Sequence, residues 1–262
     1  MTLSAIPDVQ SSFDPRNTAI DQVGIRAIKH PLVLTDGDHR QHTIAECALT
    51  VGLPADKKGT HMSRFVALLN AETLQLSVAS LPDWTRRMAQ LLDAHQAEAQ
   101  FTMPFFLEKT APVSGQKALM DYELTLSGHL LATGQMETRV QLVVPVTSLC
   151  PCSKEISAYG AHNQRSHITV TARISDPALS LADLIRRIED QGSCALWGLL
   201  KRTDEKFITE YAFDNPKFVE DMIRDVANTL ADYPGLSGFR VTVENFESIH
   251  NHSAWAVIDR MG

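Results

Sequence analysis

The sequence predicts an α+β fold made of two successive units, each with the element order β-β-α-α-β-β. Three observations predict it: segments that alternate in polarity like half-buried strands, segments whose apolar residues follow helical spacing, and the return of the same order in the second half. The 262 residues are enough for two such units. We place an N-terminal arm at 1–20, the first unit at 21–135 and the second unit at 136–262.

In the first half, two strands joined by a turn-rich loop precede two helices and two further strands. Tyr122, Leu124 and Leu126 alternate with polar neighbours in the last strand, which is the pattern of a strand with one buried face. The predicted strands are 23–34, 42–51, 100–107 and 119–132, and the predicted helices are 63–70 and 81–95.

The second half repeats this order, although no residue-level identity links the halves, so duplication is inferred from the element order alone. Because a four-stranded sheet with helices on one face leaves open edges, we expect a ring-like homo-oligomer. The predicted strands are 137–149, 167–174, 239–245 and 254–259, and the predicted helices are 179–190 and 217–233, with a further short helix near 194–201.

Charge and composition narrow the class of protein. A net charge of -7 argues against a broad nucleic-acid surface but leaves room for a local cationic pocket. The N-terminus lacks the features of a signal peptide, and no run of eighteen apolar residues occurs, so we expect a cytoplasmic protein that does not bind membranes. Its 4 cysteines are too few for a disulfide scaffold.

The densest polar segment is 150–167, which follows the apolar run 140–149 and holds two thiols, two imidazoles, a carboxylate and two cations. Two further polar segments, 201–206 and 244–252, offer carboxylates and imidazoles. A mixed shell of thiolate, carboxylate and imidazole is typical of catalytic divalent metal sites. The alternatives are that Glu205 is a solvated loop charge and that Cys150 is a packing residue.

Five strings in these regions closely resemble type IB GTP cyclohydrolase. The similarity runs from about residue 8 to about residue 255, and no departure occurs in the residues that matter. The strings are 149–157 (LCPCSKEIS), 160–167 (GAHNQRSH), 215–222 (NPKFVEDM), 244–252 (ENFESIHNH) and 58–65 (KGTHMSRF).

This resemblance implies a tunnelling fold, assembled as a ring-shaped homotetramer with sites between subunits. The implied reaction converts GTP and water to formate and 7,8-dihydroneopterin triphosphate, the first step towards folate and other pterins. It also implies one divalent metal ion per active site, which can be Mn, Fe or Zn.

The resemblance also implies roles for individual residues. It assigns Cys150, Glu205, Glu247 and His250 to the metal. His162 is the implied proton shuttle, a role that suits an imidazole because this group ordinarily titrates near neutral pH. Cys152 joins Cys150 and His162 as a catalytic candidate that either supports the metal shell or contacts substrate. The substrate-binding candidates are Glu220 for the purine and Lys58, His61, Arg64, Lys154 and Arg165 for the triphosphate, with Lys109, Lys201 and Arg202 as further cations.

Two other functions stay open at this point. A nitrile reductase of the same superfamily would use a cysteine nucleophile and a nicotinamide cofactor without metal. A non-catalytic metal-binding or purine-binding protein would keep the fold but would not need His162 or Glu220. Glu205, Glu247 and His250 beside the thiol favour the metal-dependent enzyme over both.

Overall fold

The computed structural model describes residues 8–262, so residues 1–7 of the predicted arm lie outside the described part of the chain. Residues 8–262 form nine strands and six helices. The strands are β1 (Ile20–Asp36), β2 (His39–Leu53), β3 (Gln75–Leu76), β4 (Ala97–Thr110), β5 (Lys117–Leu130), β6 (Met136–Leu149), β7 (Asn163–Ile174), β8 (Leu236–Asn245) and β9 (Ala254–Arg260). The helices are α1 (Met62–Asn70), α2 (Leu81–Leu91), α3 (Pro151–Ile156), α4 (Leu181–Glu189), α5 (Arg202–Asp214) and α6 (Val219–Ala231).

The eight predicted strands and the four main predicted helices are confirmed, and α3, α5 and the two-residue β3 are additional. The short helix expected at 194–201 was wrong. Backbone hydrogen bonds pair the start of this segment with β6: Thr147 N donates to Cys194 O at 2.8 Å, and Ser193 N donates to Thr147 O at 2.9 Å. A backbone group paired with a strand is not available to a helix.

Within the described residues, the first compact unit comprises 8–35, 40–102 and 126–138. Its strand order is β3-β1-β2-β4-β5, with β1 parallel to β3 and β2 antiparallel to β4. The ring of Trp84 on α2 meets Phe101 on β4 edge to face at 5.2 Å, which anchors that helix to the sheet. Residues 10–14 lie along residues 56–60, since Lys58 N donates to Ser12 O and Gly59 N to Gln10 O, each at 3.1 Å.

The second compact unit comprises residues 36–39, 103–125 and 139–262. Its strand order is β4-β5-β6-β7-β8-β9, and β7, β8 and β9 pair antiparallel. Helix α6 packs on β8 and β9 and touches α4. Its buried side chains recur at helical spacing, as in Met222, Val226 and Leu230, so one face of α6 covers the sheet. The fold class is therefore α+β with a mostly antiparallel sheet, as predicted.

Among the described residues, no helix is both long enough and apolar enough to cross a membrane. All four cysteines are free thiols. They differ in environment, because Cys47 and Cys194 are buried, Cys150 is half-buried and Cys152 is exposed. Burial raises the pKa of the Cys47 thiol to about 12 and that of Cys194 to about 11.

We expect iodoacetamide to alkylate Cys152 well before Cys47 or Cys194 in the folded, metal-free protein at about pH 8, because only the exposed thiolate reacts. Peptide mapping by mass spectrometry after short exposures would measure the order. Alkylation in denaturant, where all four thiols should react alike, is the control. Equal labelling of Cys194 and Cys152 in the folded protein would contradict the assignment of burial.

Candidate active site

Cys150 stands where β6 ends and α3 begins. It caps the helix, since its Sγ accepts a hydrogen bond from Ser153 N at 3.5 Å, and Pro151 supplies the preset φ that favours the first helical position. Cys150 N donates to His162 O at 3.1 Å, and His162 N donates to Ser153 Oγ at 3.1 Å. The chain turns back between them at Gly160, whose φ of 72° is the left-handed region that glycine tolerates. Cys150 and His162 are thus held side by side.

His162 lies among buried polar groups at the start of β7. Its Nδ1 is 3.0 Å from Gln164 Oε1 and 3.9 Å from Glu247 Oε2. The side chains of His162 and Glu247 are only 13% and 12% exposed, so both are largely shielded from solvent. Three of the predicted site residues, Cys150, His162 and Glu247, therefore belong to one neighbourhood.

The loop between β8 and β9 carries Glu247 and His250. Phe246 N donates to Arg165 O at 3.1 Å, and the Phe246 ring meets His167 edge to face at 4.9 Å, so the beginning of the loop is fixed to β7. His250 is exposed, and its ring stacks on that of His252 at 5.1 Å.

Burial lowers the pKa of His167 on β7, and the positive charge of Arg165 lowers it further.

Glu205 lies in the first turn of α5, where its side chain is exposed. Its neighbour Asp204 is fully buried and fixes the start of the helix. Asp204 accepts hydrogen bonds from Lys201 N at 2.8 Å, from Val113 N at 2.9 Å and from Ser114 N at 2.8 Å. Burial alone would raise the pKa of Asp204, but these bonds and the Ser114 hydroxyl lower it well below its ordinary value. Sequence patterns missed α5 because the helix buries only Asp204 and Ala212.

We expect Asp204→Asn to lower the midpoint of thermal unfolding at neutral pH by several degrees, because an amide cannot accept all of these bonds. The folded pKa lies below the ordinary value of 3.8, so the carboxylate stabilises the fold above that value and loses this effect as the pH falls through the folded pKa. The difference between wild type and variant should therefore shrink in acid. Calorimetry across pH, with exposed Asp214→Asn at the other end of α5 as control, would measure it. A difference that grows in acid would contradict the assignment.

Within residues 8–262, no three side chains of the histidine, cysteine, aspartate and glutamate types are arranged as a metal-binding group. The donor types of Cys150, Glu205, Glu247 and His250 nevertheless fit a divalent ion with an open position, since they combine one thiol, two carboxylates and one imidazole. Cys152, two residues beyond Cys150 on α3, is exposed, whereas Cys150 is half-buried.

The predicted substrate residues of the second unit have diverse environments. Glu220 is exposed in the first turn of α6, and the preceding Asn215 and Lys217 tie that turn to the core: Asn215 Nδ2 donates to Ser193 O and Lys217 N to Leu149 O. Arg165 lines a cavity of about 420 Å³ together with His167 and Trp197. Lys201 and Arg202 are exposed where α5 begins.

Two of the cations are already engaged within the second unit. The Lys154 ammonium donates to Phe213 O and lies 4.3 Å from the centre of the Phe213 ring. Lys109 is half-buried, with its side chain 13% exposed and its Nζ 2.6 Å from Glu189 Oε1. The buried Glu189 carboxylate thus holds the Lys109 ammonium within the second unit.

Lys58, His61 and Arg64 lie in the first unit around the start of α1. Lys58 is exposed. His61 precedes the helix with its Nε2 3.3 Å from Asp8 Oδ2, and Arg64 Nη1 donates to Leu91 O at 3.0 Å.

The family model described as type I GTP cyclohydrolase FolE2 matches residues 6–256. The chain belongs to this family. FolE2 relatives align over almost their full length: the GTP cyclohydrolase FolE2 of Azoarcus sp. strain BH72 is 53% identical over 98% of this chain and 95% of its own. That of Thiobacillus denitrificans is 52% identical over 98% of this chain and 96% of its own.

Among solved structures, a hyper-thermostable uricase variant is similar to this FolE2 chain in fold, with a TM-score of 0.51. The alignment covers 93% of each chain at 9% sequence identity. At this identity the likeness concerns the fold alone.

Four residues that the sequence did not single out lie next to His162 or behind it. Gln164 contacts His162, and behind it lie Ser148, Ser166 and Asn245, all buried. The sequence could have indicated them, because each is a polar residue at an inward position of a strand that otherwise alternates in polarity. Burial of a polar side chain at such a position costs free energy unless its hydrogen bonds are made.

Proposed function

We propose that this chain is a type IB GTP cyclohydrolase that converts GTP and water to formate and 7,8-dihydroneopterin triphosphate for folate biosynthesis. The observation that carries the proposal is the 53% identity to a GTP cyclohydrolase FolE2 over 98% of the chain. The position of His162 beside Cys150, with its Nδ1 3.9 Å from Glu247 Oε2, supports it, because this reaction needs a proton carrier next to a metal site.

In this proposal Cys150, Glu205, Glu247 and His250 hold one divalent ion, and Mn, Fe or Zn would suit two carboxylates beside one thiolate. When bound, the ion would activate water near neutral pH for attack on C8 of guanine. The ligands complete their shell in the assembled, metal-loaded enzyme. Cys152 belongs to the same site, where it supports the shell or contacts substrate.

His162 moves the protons. It donates to N7 of guanine as water attacks C8, and it takes a proton back during ring opening, loss of formate, ribose rearrangement and closure of the new ring. The low exposure of its side chain protects these transfers from exchange with bulk water.

The remaining groups bind GTP. Glu220 anchors the purine, because its carboxylate can accept hydrogen bonds from both N1–H and the 2-amino group of guanine. Arg165 provides charge for the triphosphate where it lines its cavity. We assign the same role to the other cations, Lys58, His61, Arg64 and Lys154; Lys154 would have to exchange its bond to Phe213 O for a phosphate.

The assembly and the fold complete the proposal. The likeness to a uricase supports a tunnelling fold. The tandem units at 21–135 and 136–262 and the arm at 1–20 remain part of the proposal. Such units pair their edges in a homotetramer with sites between subunits. A cytoplasmic location suits an enzyme with free thiols at its site.

The test is to strip the purified protein with a chelator, restore Mn, Fe or Zn singly, and measure formate and fluorescent pterin from GTP. We expect formate and pterin in equal amounts, and only after metal is restored. Parallel reactions with NADPH and a nitrile substrate test the nitrile reductase alternative. NADPH oxidation without formate would overturn the proposal, and GTP binding without turnover would indicate a binding protein.

A further inference from the structure

A row of polar side chains crosses the buried face of the sheet behind His162. Ser148 on β6, Ser166 on β7 and Asn245 on β8 occupy inward positions and are 0%, 0% and 3% exposed. The β7–β8 register places Ser166 directly opposite Asn245. Gln164, two residues before Ser166 on the same face of β7, is 9% exposed and continues the row to His162. Polar groups at such positions cost stability unless all their hydrogen bonds are made.

The distances connect the row without a break. Gln164 Nε2 donates to Ser148 Oγ at 2.8 Å, and Gln164 Oε1 is 3.0 Å from His162 Nδ1. Ser166 Oγ is 2.8 Å from Ser148 Oγ and 2.7 Å from Asn245 Oδ1.

Asn245 Oδ1 faces Ser166 Oγ, and this orientation of the Asn245 amide sets the direction of every other bond in the row. Asn245 Oδ1 carries no hydrogen, so the single hydroxyl hydrogen of Ser166 must go to it. The contact between the serines then requires the Ser148 hydroxyl hydrogen to point at Ser166 Oγ. Ser148 Oγ can therefore only accept from Gln164, which requires the NH₂ end of the amide on that side.

The carbonyl end of Gln164 consequently faces His162, and a carbonyl oxygen can only accept. His162 must therefore carry a hydrogen on Nδ1. Glu247 Oε2 is 3.9 Å from the same nitrogen, beyond hydrogen-bond distance, so the amide makes the closer contact.

We propose that Gln164 is a positioning residue that keeps His162 in the Nδ1–H form, so that Nε2 alone exchanges protons with the substrate. Ser148, Ser166 and Asn245 hold the amide in the required orientation. This inference rests on the proposed role of His162 as proton carrier. Because Nδ1–H stays bonded to Gln164 in both the neutral and the charged ring, the ring need not turn between giving and retrieving a proton.

The test compares Gln164→Leu, which removes both ends of the amide, with Gln164→Glu, which keeps an acceptor for Nδ1–H. Steady-state formate release gives kcat and KM, and ¹⁵N NMR of histidine-labelled protein reports the tautomer, with the His162 signal assigned by its loss in His162→Ala. Gln141→Leu is the matched control, since Gln141 on β6 accepts a bond from Thr171 and does not contact His162.

We expect Gln164→Leu to lower kcat by about 10- to 100-fold with little change in KM and to populate the Nε2–H tautomer. Gln164→Glu should recover the Nδ1–H signal and part of kcat, and Gln141→Leu should match wild type. If Gln164→Leu fails to fold, Ser148→Ala provides the test, because it frees the amide to flip and should also mix the tautomers.

An unchanged Nδ1–H signal in folded Gln164→Leu would overturn the proposal, whatever happens to kcat. So would a wild-type kcat in that variant. Failure of the proposed function would look different. Full activity in His162→Ala would show that His162 is not the proton carrier, whereas the tautomer measured in Gln164→Leu would still show whether Gln164 keeps His162 in the Nδ1–H form.

Discussion

His162→Ala is expected to lower kcat for formate release by about 10²–10⁴-fold, the usual contribution of a positioned proton carrier. The loss should appear in kcat more than in KM, because the imidazole acts on the reacting purine and is not among the groups proposed to bind the triphosphate. Metal content should stay at the wild-type level, since His162 is not one of the four proposed ligands. Steady-state kinetics and elemental analysis of the same preparation measure both quantities.

The exposed His42, which lies in the first unit, provides the matched control, and His42→Ala should keep wild-type turnover. Activity that survives in His162→Ala would show that another group carries the protons. Loss of metal together with activity would instead make His162 a ligand, and the division of roles within the site would be wrong.

Glu189→Ala is expected to reduce the free energy of unfolding by about 3–5 kcal/mol, because it leaves a buried cation without its partner. Glu189 Oε1 is 2.6 Å from Lys109 Nζ and accepts a hydrogen bond from the Tyr122 hydroxyl at 2.8 Å. The side chains of Lys109 and Glu189 are 13% and 5% exposed, so water has little access with which to replace the lost contacts. Burial and the neighbouring Glu189 charge raise the pKa of Tyr122, which therefore stays a neutral donor.

Urea unfolding, with the slope of the transition checked for constancy, measures this loss. The double variant Lys109→Met with Glu189→Leu is the informative control, because removing both charges costs less than removing one and should recover much of the stability. If Glu189→Ala unfolds within about 0.5 kcal/mol of wild type, which is the range of ordinary surface substitutions, the pair is not the buried contact that the structure indicates.

The main strands and helices could be predicted because each has one buried face, and burial imposes a period. In β6, residues such as Val140, Leu142 and Val144 alternate with more exposed neighbours, and in α4 Leu184, Ile185 and Ile188 form one stripe. Helix α5 has no such stripe, and the bonds of Asp204 to Val113 and Ser114 come from residues about 90 positions earlier in the chain. Long-range polar contacts of this kind leave no local pattern.

The candidate site was predictable in its residue types and only partly in its connections. The crowded segment 150–167 pointed to Cys150 and His162, and resemblance supplied Glu205, Glu247 and His250. The contact of His162 with Gln164 could not be predicted, because it depends on β6, β7 and β8 placing three further polar side chains in register. The contact of Lys109 with Glu189 could not be predicted either, because the two residues lie 80 positions apart in the chain.

The most direct test of the account is a crystal structure of the metal-loaded, assembled enzyme with a non-hydrolysable GTP analogue, recorded at the absorption edge of the metal. We expect one ion per site, bound by Cys150, Glu205, Glu247 and His250, with His162 beside the purine and Glu220 at its far edge. An analogue bound in the site while the ion lies elsewhere, or a purine that meets neither His162 nor Glu220, would contradict the account.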